Sequence, residues 1–174
     1  MRTKKSRKPA LTEPLKIRGG IEIMVKNALT GEVVSHDKDE NAVLYIGRNW
    51  IMNKVASTYT ETLWAGIKIG IGSTAANATD TGLKTYYTYR AGTIVSTTQA
   101  AGAAAPVLQV KASWESNLLS DTQFSNTDGG IWEFCLANSS GHHTSGTNLC
   151  RYASASVITC TTSNQLLVSY NLSF

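Results

Sequence analysis

Charge is scarce in this chain of 174 residues: Asp, Glu, Lys and Arg together make up only 16% of it, against about a quarter in soluble domains. A thin charged coat suits a surface covered by neighbours. It equally fits an ordinary strand-rich domain dressed in Thr and Ser. Long apolar runs are missing too. No stretch approaches the roughly 20 apolar residues of a membrane-spanning helix. The basic start is not followed by the apolar segment of a secretory signal, so no membrane partner is expected. Cysteine is limited to Cys135, Cys150 and Cys160. Their odd number and spacing match no zinc pattern. Their apolar or Thr-rich surroundings read as buried, reduced thiols, with a Cys150–Cys160 bridge across a hairpin as the alternative in an oxidising setting.

The charge that is present is unevenly placed. Residues 1–20 hold Arg2, Lys4, Lys5, Arg7, Lys8, Lys16 and Arg18 against the single acid Glu13, a net of +6. The other 154 residues carry nine cations and eleven acids. Pro9 and Pro14 forbid a continuous helix and favour extended backbone. The sequence therefore divides into an extended basic arm, 1–20, and a body, 21–174. The seven arm cations are the predicted partner-binding residues. Three readings of the arm stand side by side: docking on a neighbouring protein surface, neutralising nucleic-acid phosphates, and a solvated tail. The arm contains no aromatic residue for base stacking. Its Pro9, Leu11, Pro14, Leu15 and Ile17 suit a protein groove, including addition of a strand to a neighbour's sheet.

The body reads as β. Ile21 to Lys26 alternates apolar and polar residues. Thr30-Gly31 reads as a turn and residues 32–35 as the returning strand, followed by a charged loop, His36 to Glu40. One helix is predicted over 42–57, with Asn41 as its N-cap. Gly47 is placed to let that helix pack close to a sheet. Strands follow at 64–71, 86–98 (broken near Gly92), 107–115, 131–137, 149–158 and 166–174. In the last, Val168, Tyr170, Leu172 and Phe174 share one face. A small-residue loop spans 73–82. Strands at this spacing with one helix predict a mainly β, antiparallel sandwich of jelly-roll type.

Chemistry-bearing groups are present without a catalytic pattern. Gly70-Ile71-Gly72-Ser73 follows a strand but lacks the Lys-Ser/Thr and the helix of a phosphate loop; glycines that permit close strand packing explain it better. His142-His143 have no partner at ligand spacing. Asp37, Asp39 and Glu40 beside His36 lack the spacing of a calcium loop. No Gly-x-Ser-x-Gly elbow exists. Glu115 and Glu133, the acids inside strong strands, could form a hydrolytic carboxylate pair, but isolated strand glutamates more often face solvent or pair with a cation. No catalytic residue, metal or cofactor is expected.

From Asn41 onward the order of motifs resembles small β-sandwich structural proteins of tailed bacteriophages, the tail, fibre and decoration components. The residues that carry the likeness are the Asn41–Gly47 helix region, Ile67-Lys68-Ile69-Gly70-Ile71-Gly72-Ser73-Thr74, and Ala78-Thr79-Asp80-Thr81-Gly82-Leu83. Further on come a strand with Arg90, Ile131 to Ala137, a strand with Arg151 and an aromatic end. Trp132 and Phe134-Cys135 depart from the family's preference for small residues. The resemblance implies a non-enzymatic virion protein, assembled in the host cytoplasm. The leading expectation is a capsid cement or decoration protein, a homo-oligomer bound to the major capsid protein. A tail, baseplate or fibre-adaptor protein comes second. A small-virus capsid protein with a genome-binding arm, and so a nucleic-acid partner, comes third.

Overall fold

The computed structural model describes residues 16–56, 66–97, 107–115, 130–138, 148–161 and 163–173. Arm residues Arg2, Lys4, Lys5, Arg7 and Lys8 lie outside the described residues, as do the His142-His143 loop and Phe174. Among the described residues, nine strands and one helix follow in the order β1 (Arg18–Asn27), β2 (Val33–Val43), α1 (Tyr45–Ala56), β3 (Gly66–Gly70), β4 (Tyr86–Ala91), β5 (Thr93–Thr97), β6 (Val107–Trp114), β7 (Ile131–Ala137), β8 (Asn148–Ile158) and β9 (Asn164–Ser173). Every pairing is antiparallel, and the strand order is β4-β3-β7-β8-β2-β1-β9-β6-β5. The two end strands, β4 and β5, are consecutive in the chain with only Gly92 between them. The sheet is thus nearly closed. The break anticipated near Gly92 is the point where the chain passes from one end of the strand order to the other.

Alternation sets the inward face. Ile21, Ile23 and Val25 of β1 are buried while Glu22 and Met24 are half-buried. Leu166, Val168, Tyr170 and Leu172 of β9 do the same, as the period of two requires. They join Ile67 and Ile69 of β3, Trp114 of β6 and Phe134 and Leu136 of β7 in one core. Each such large side chain contributes about 1.5–3 kcal/mol by leaving water.

Three expectations need correcting. His36 to Glu40 is not a loop: β2 runs through it, paired with β1 from Gly19↔Asn41 to Val25↔Ser35. Asn41 therefore caps no helix. Because β2 continues to Val43, α1 starts at Tyr45, and its first bonded carbonyl is that of Leu44, which accepts from the Arg48 amide at 3.0 Å. Finally, Cys150 and Cys160 do not face each other across a hairpin. Cys150 lies in β8 and Cys160 just beyond the same strand, which at about 3.3 Å per residue separates them by roughly 30 Å, far beyond disulfide reach. All three cysteines are free and buried.

The helix lies on β8. The Leu44 amide donates to the Leu149 carbonyl at 3.0 Å. At Gly47 an added Cβ would come within 2.5 Å of that same carbonyl oxygen. The expected close packing of helix on sheet is present, and only a glycine permits it.

Candidate functional site: an ionic clamp and an acidic edge

Polar residues on the outward face of β3, β7 and β8 are buried as deeply as the core. Register places Lys68 opposite Cys135 and Cys135 opposite Arg151, so the three share the face turned away from Ile67, Phe134 and Leu136. Glu133 lies two residues along on the same face, opposite Gly70. Glu133 and Arg151 are fully buried, Lys68 nearly so. Burying charges is costly unless they are paired. The segment 71–85, between β3 and β4, crosses this face and supplies the partners.

Arg151 uses all five of its N–H donors. Its Nε and Nη2 donate to Glu133 Oε2 at 3.0 and 2.8 Å. Nη1 donates to Asp80 Oδ2 at 2.7 Å and to the Ala75 carbonyl at 3.1 Å. Nη2 also donates to the Thr74 carbonyl at 2.7 Å. Glu133 then gathers the two ends of the segment. Its Oε1 accepts from the amides of Gly72 (3.1 Å) and Thr85 (2.7 Å), and its Oε2 from the amide of Lys84 (2.9 Å). The amide of Ile71 closes the base on the Thr85 carbonyl at 3.0 Å. Gly72 is required here: an added Cβ would meet Glu133 Oε1 at 2.6 Å. The Gly70–Ser73 loop does cradle an anion through a backbone amide, and that anion is the chain's own carboxylate.

Asp80 is the third member. Besides Arg151 it accepts from the Asn77 amide at 2.9 Å and from Lys84 Nζ at 2.7 Å. Burial alone would push its pKa up. The hydrogen bonds from Lys84, Asn77 and Arg151 outweigh that and hold it below the ordinary carboxylate value. The segment also reaches the helix: the Tyr45 amide donates to the Ala78 carbonyl at 2.9 Å, satisfying one of the donors a helix start leaves open. At the far end, Asn148 Nδ2 donates to the Thr81 carbonyl at 2.6 Å, while Asn148 Oδ1 accepts from Lys68 Nζ and from the Cys135 thiol, each at 3.3 Å. Burial pushes the Cys135 thiol well above its usual pKa.

A second charged surface lies on β2. Every residue from Val33 to Glu40 is exposed except half-buried Asp37, which accepts from Tyr152 Oη at 3.0 Å. His36 Nε2 lies 2.9 Å from Glu22 Oε1. On its far side β2 pairs with β8 only through Ala42 and Val43. Among the described residues the edge from 33 to 41 is unpaired.

Of the predicted site residues, Lys16 is exposed just before β1, and Arg18 is an exposed member of β1 opposite Ser173. Glu133 and Glu115 are not brought together as a pair: Glu133 is ion-paired, as the plainer reading had it, and Glu115 is exposed beyond the end of β6. Among the described residues no three His, Cys, Asp or Glu side chains converge as metal ligands. The residues sequence reasoning passed over are Arg151, Asp80 and Lys68. A signal existed, since Glu133 interrupts an otherwise apolar strand and Arg151 is the one charge in another, and two buried opposite charges need one another. No family model, curated protein or solved structure matches the chain.

Proposed function

We propose that the chain is a non-enzymatic structural component of a tailed-bacteriophage particle, most economically a cement or decoration protein on the capsid. In this reading the nearly closed sheet is a sandwich of jelly-roll type. β2 pairs first with β1 and then with β8, and the chain changes side again at Gly92, as corner strands of sandwiches do. Residues 1–16, ahead of β1, reach out to neighbouring subunits, and assembly stabilises the shell by burying many standard-size interfaces.

The observation that carries the reading is the saturated ionic clamp. The most deeply buried charges, Arg151 and Glu133, hold the 71–85 segment to the sheet and present no open valence to a substrate. The same segment contains Asp80 within Ala78-Thr79-Asp80-Thr81-Gly82-Leu83, one of the stretches that carry the likeness to phage structural proteins, and Asp80 pairs with Arg151 and Lys84 there. The charge-poor body fits a surface meant to be covered.

Quantitative mass spectrometry of purified particles tests the proposal. A cement protein is present in hundreds of copies and stays on genome-filled heads that lack tails. Copies in multiples of three or six, absent from tailless heads, would move it to the tail. Absence from particles altogether would end the virion reading.

A further inference from the structure

We propose that the unpaired edge of β2 is the receptor for residues 1–8 of a second copy of this chain, which add to it as an antiparallel strand. This rests on the reading of the chain as an assembly component and names the surface its arm would grip. Val33 to Glu40 offers eight residues of strand with one side of its backbone unpaired among the described residues. Its charged side chains are Asp37, Asp39 and Glu40 against Lys38, with His36 engaged by Glu22. Residues 1–8 carry five cations and no acid, and Pro9 ends the stretch because it has no N–H to give a ladder. Eight residues of strand span about 27 Å, matching the edge in length.

The spacing matches as well. Asp37 and Asp39 share one face of β2, and an extended 1–8 would place Lys5 and Arg7 on one face and Arg2, Lys4 and Lys8 on the other. A charged edge resists pairing with a like edge, so this one rejects another β2 while admitting a basic strand. A second copy is favoured over the chain's own arm by direction. Arg18 begins β1 near Asn41, at the last-formed end of β2. An arm folding back from there along its own β2 would run parallel to it, in a sheet where every pairing is antiparallel and parallel pairs are the weaker kind. An arm from a neighbour is free of that constraint.

The test uses the full chain in two singly substituted forms, Ser6→Cys in one and Ser35→Cys in the other, mixed in equal amounts under mild oxidation. The expected result is a disulfide-linked heterodimer at least about tenfold above that formed by Ser6→Cys with Ile94→Cys, an exposed site in β5 at the end of the strand order. Adding Asp39→Asn and Glu40→Gln to the receptor chain, which leaves the Asp37–Tyr152 contact in place, lowers its yield about tenfold, and 0.5 M salt does the same, as for surface ion pairs acting together. Equal yields at the two sites overturn the proposal. So does cross-linking within one doubly substituted chain at high dilution, or loss of the heterodimer when a DNA duplex is added while the edge substitutions have no effect. Failure here leaves particle stoichiometry, and with it the virion reading, untouched. A chain absent from particles but cross-linked as described would refute that reading and keep this one.

Discussion

Replacing Arg151 with Met removes the cation from the clamp and leaves its shape roughly filled. Glu133, fully buried, then keeps its amide donors from Gly72, Lys84 and Thr85 but loses its counter-charge. Asp80 keeps the Asn77 amide but has Lys84 as its one remaining counter-charge, and the Lys84 side chain is 45% exposed, so that pair is screened by water and contributes little. The carbonyls of Thr74 and Ala75 lose their donor. Breaking a buried pair by removing one partner costs about 3–5 kcal/mol, and we expect about 4 kcal/mol here. For a domain of this size 1 kcal/mol moves the midpoint by roughly 2–4 °C, so the Tm should fall by about 8–16 °C. Arg151→Lys keeps the charge but not the planar fork and should fall between. Urea unfolding followed by circular dichroism measures the loss, and amide exchange at Gly72, Lys84 and Thr85 locates it. A variant within about 1 kcal/mol of wild type, with those amides still protected, would refute the clamp.

Three further outcomes follow from the same geometry. Asp80 has a folded pKa below its unfolded one, so as pH falls the unfolded chain takes up the proton first. Its contribution is intact above about pH 4 and is lost below it; acid titration of stability should be steeper for wild type than for Asp80→Asn. Burial pushes the Cys150 and Cys160 thiols up to about 12 and Cys135 higher still, so a thiol reagent at pH 8 should label none of the three in the folded protein and all three in denaturant. Gly47→Ala sets a Cβ within 2.5 Å of the Leu149 carbonyl oxygen. It should destabilise by about 1–3 kcal/mol, read from the urea midpoint, although alanine is the better helix former.

The elements most legible in the sequence were those whose partners impose a period. β1, β6, β7 and β9 announce themselves by alternation or by apolar density, and their bounds shift by no more than three residues. Only the start of β2, through Ser35, read as a strand; its continuation was hidden because His36-Asp37-Lys38-Asp39-Glu40 has no strand propensity. It is tolerated because one side of the strand is open, where charge discourages unwanted pairing. The helix start was misplaced for the same reason: a strand that is not recognised cannot be seen to run on through Asn41. The clamp was hidden by distance. Arg151 meets Asp80 across 71 positions and Glu133 across 18, and pattern within a window cannot join them. The Ser-, Thr- and Ala-rich composition of 73–82 reads as filler, because the groups this stretch contributes are mostly backbone carbonyls and amides, which every sequence has.

Why an ionic clamp stands where apolar packing would serve is answered by what it must grip. Well-packed apolar residues are often as stable as a buried ion pair, so stability alone gives no reason to keep Arg151 and Glu133. The 71–85 segment, however, presents peptide groups rather than side chains to the sheet, and a peptide group buried without a partner is costly. An arginine offers five directed donors and a carboxylate several acceptor positions. Together they satisfy the Thr74 and Ala75 carbonyls and the Gly72, Lys84 and Thr85 amides in a single arrangement. Sliding the segment by one residue would break all of these bonds at once, where an apolar contact would merely be exchanged for another. The clamp therefore fixes the register of a segment with little hydrophobic content of its own. Because the Ala78 carbonyl also receives the Tyr45 amide, it fixes the start of the helix on β8 as well.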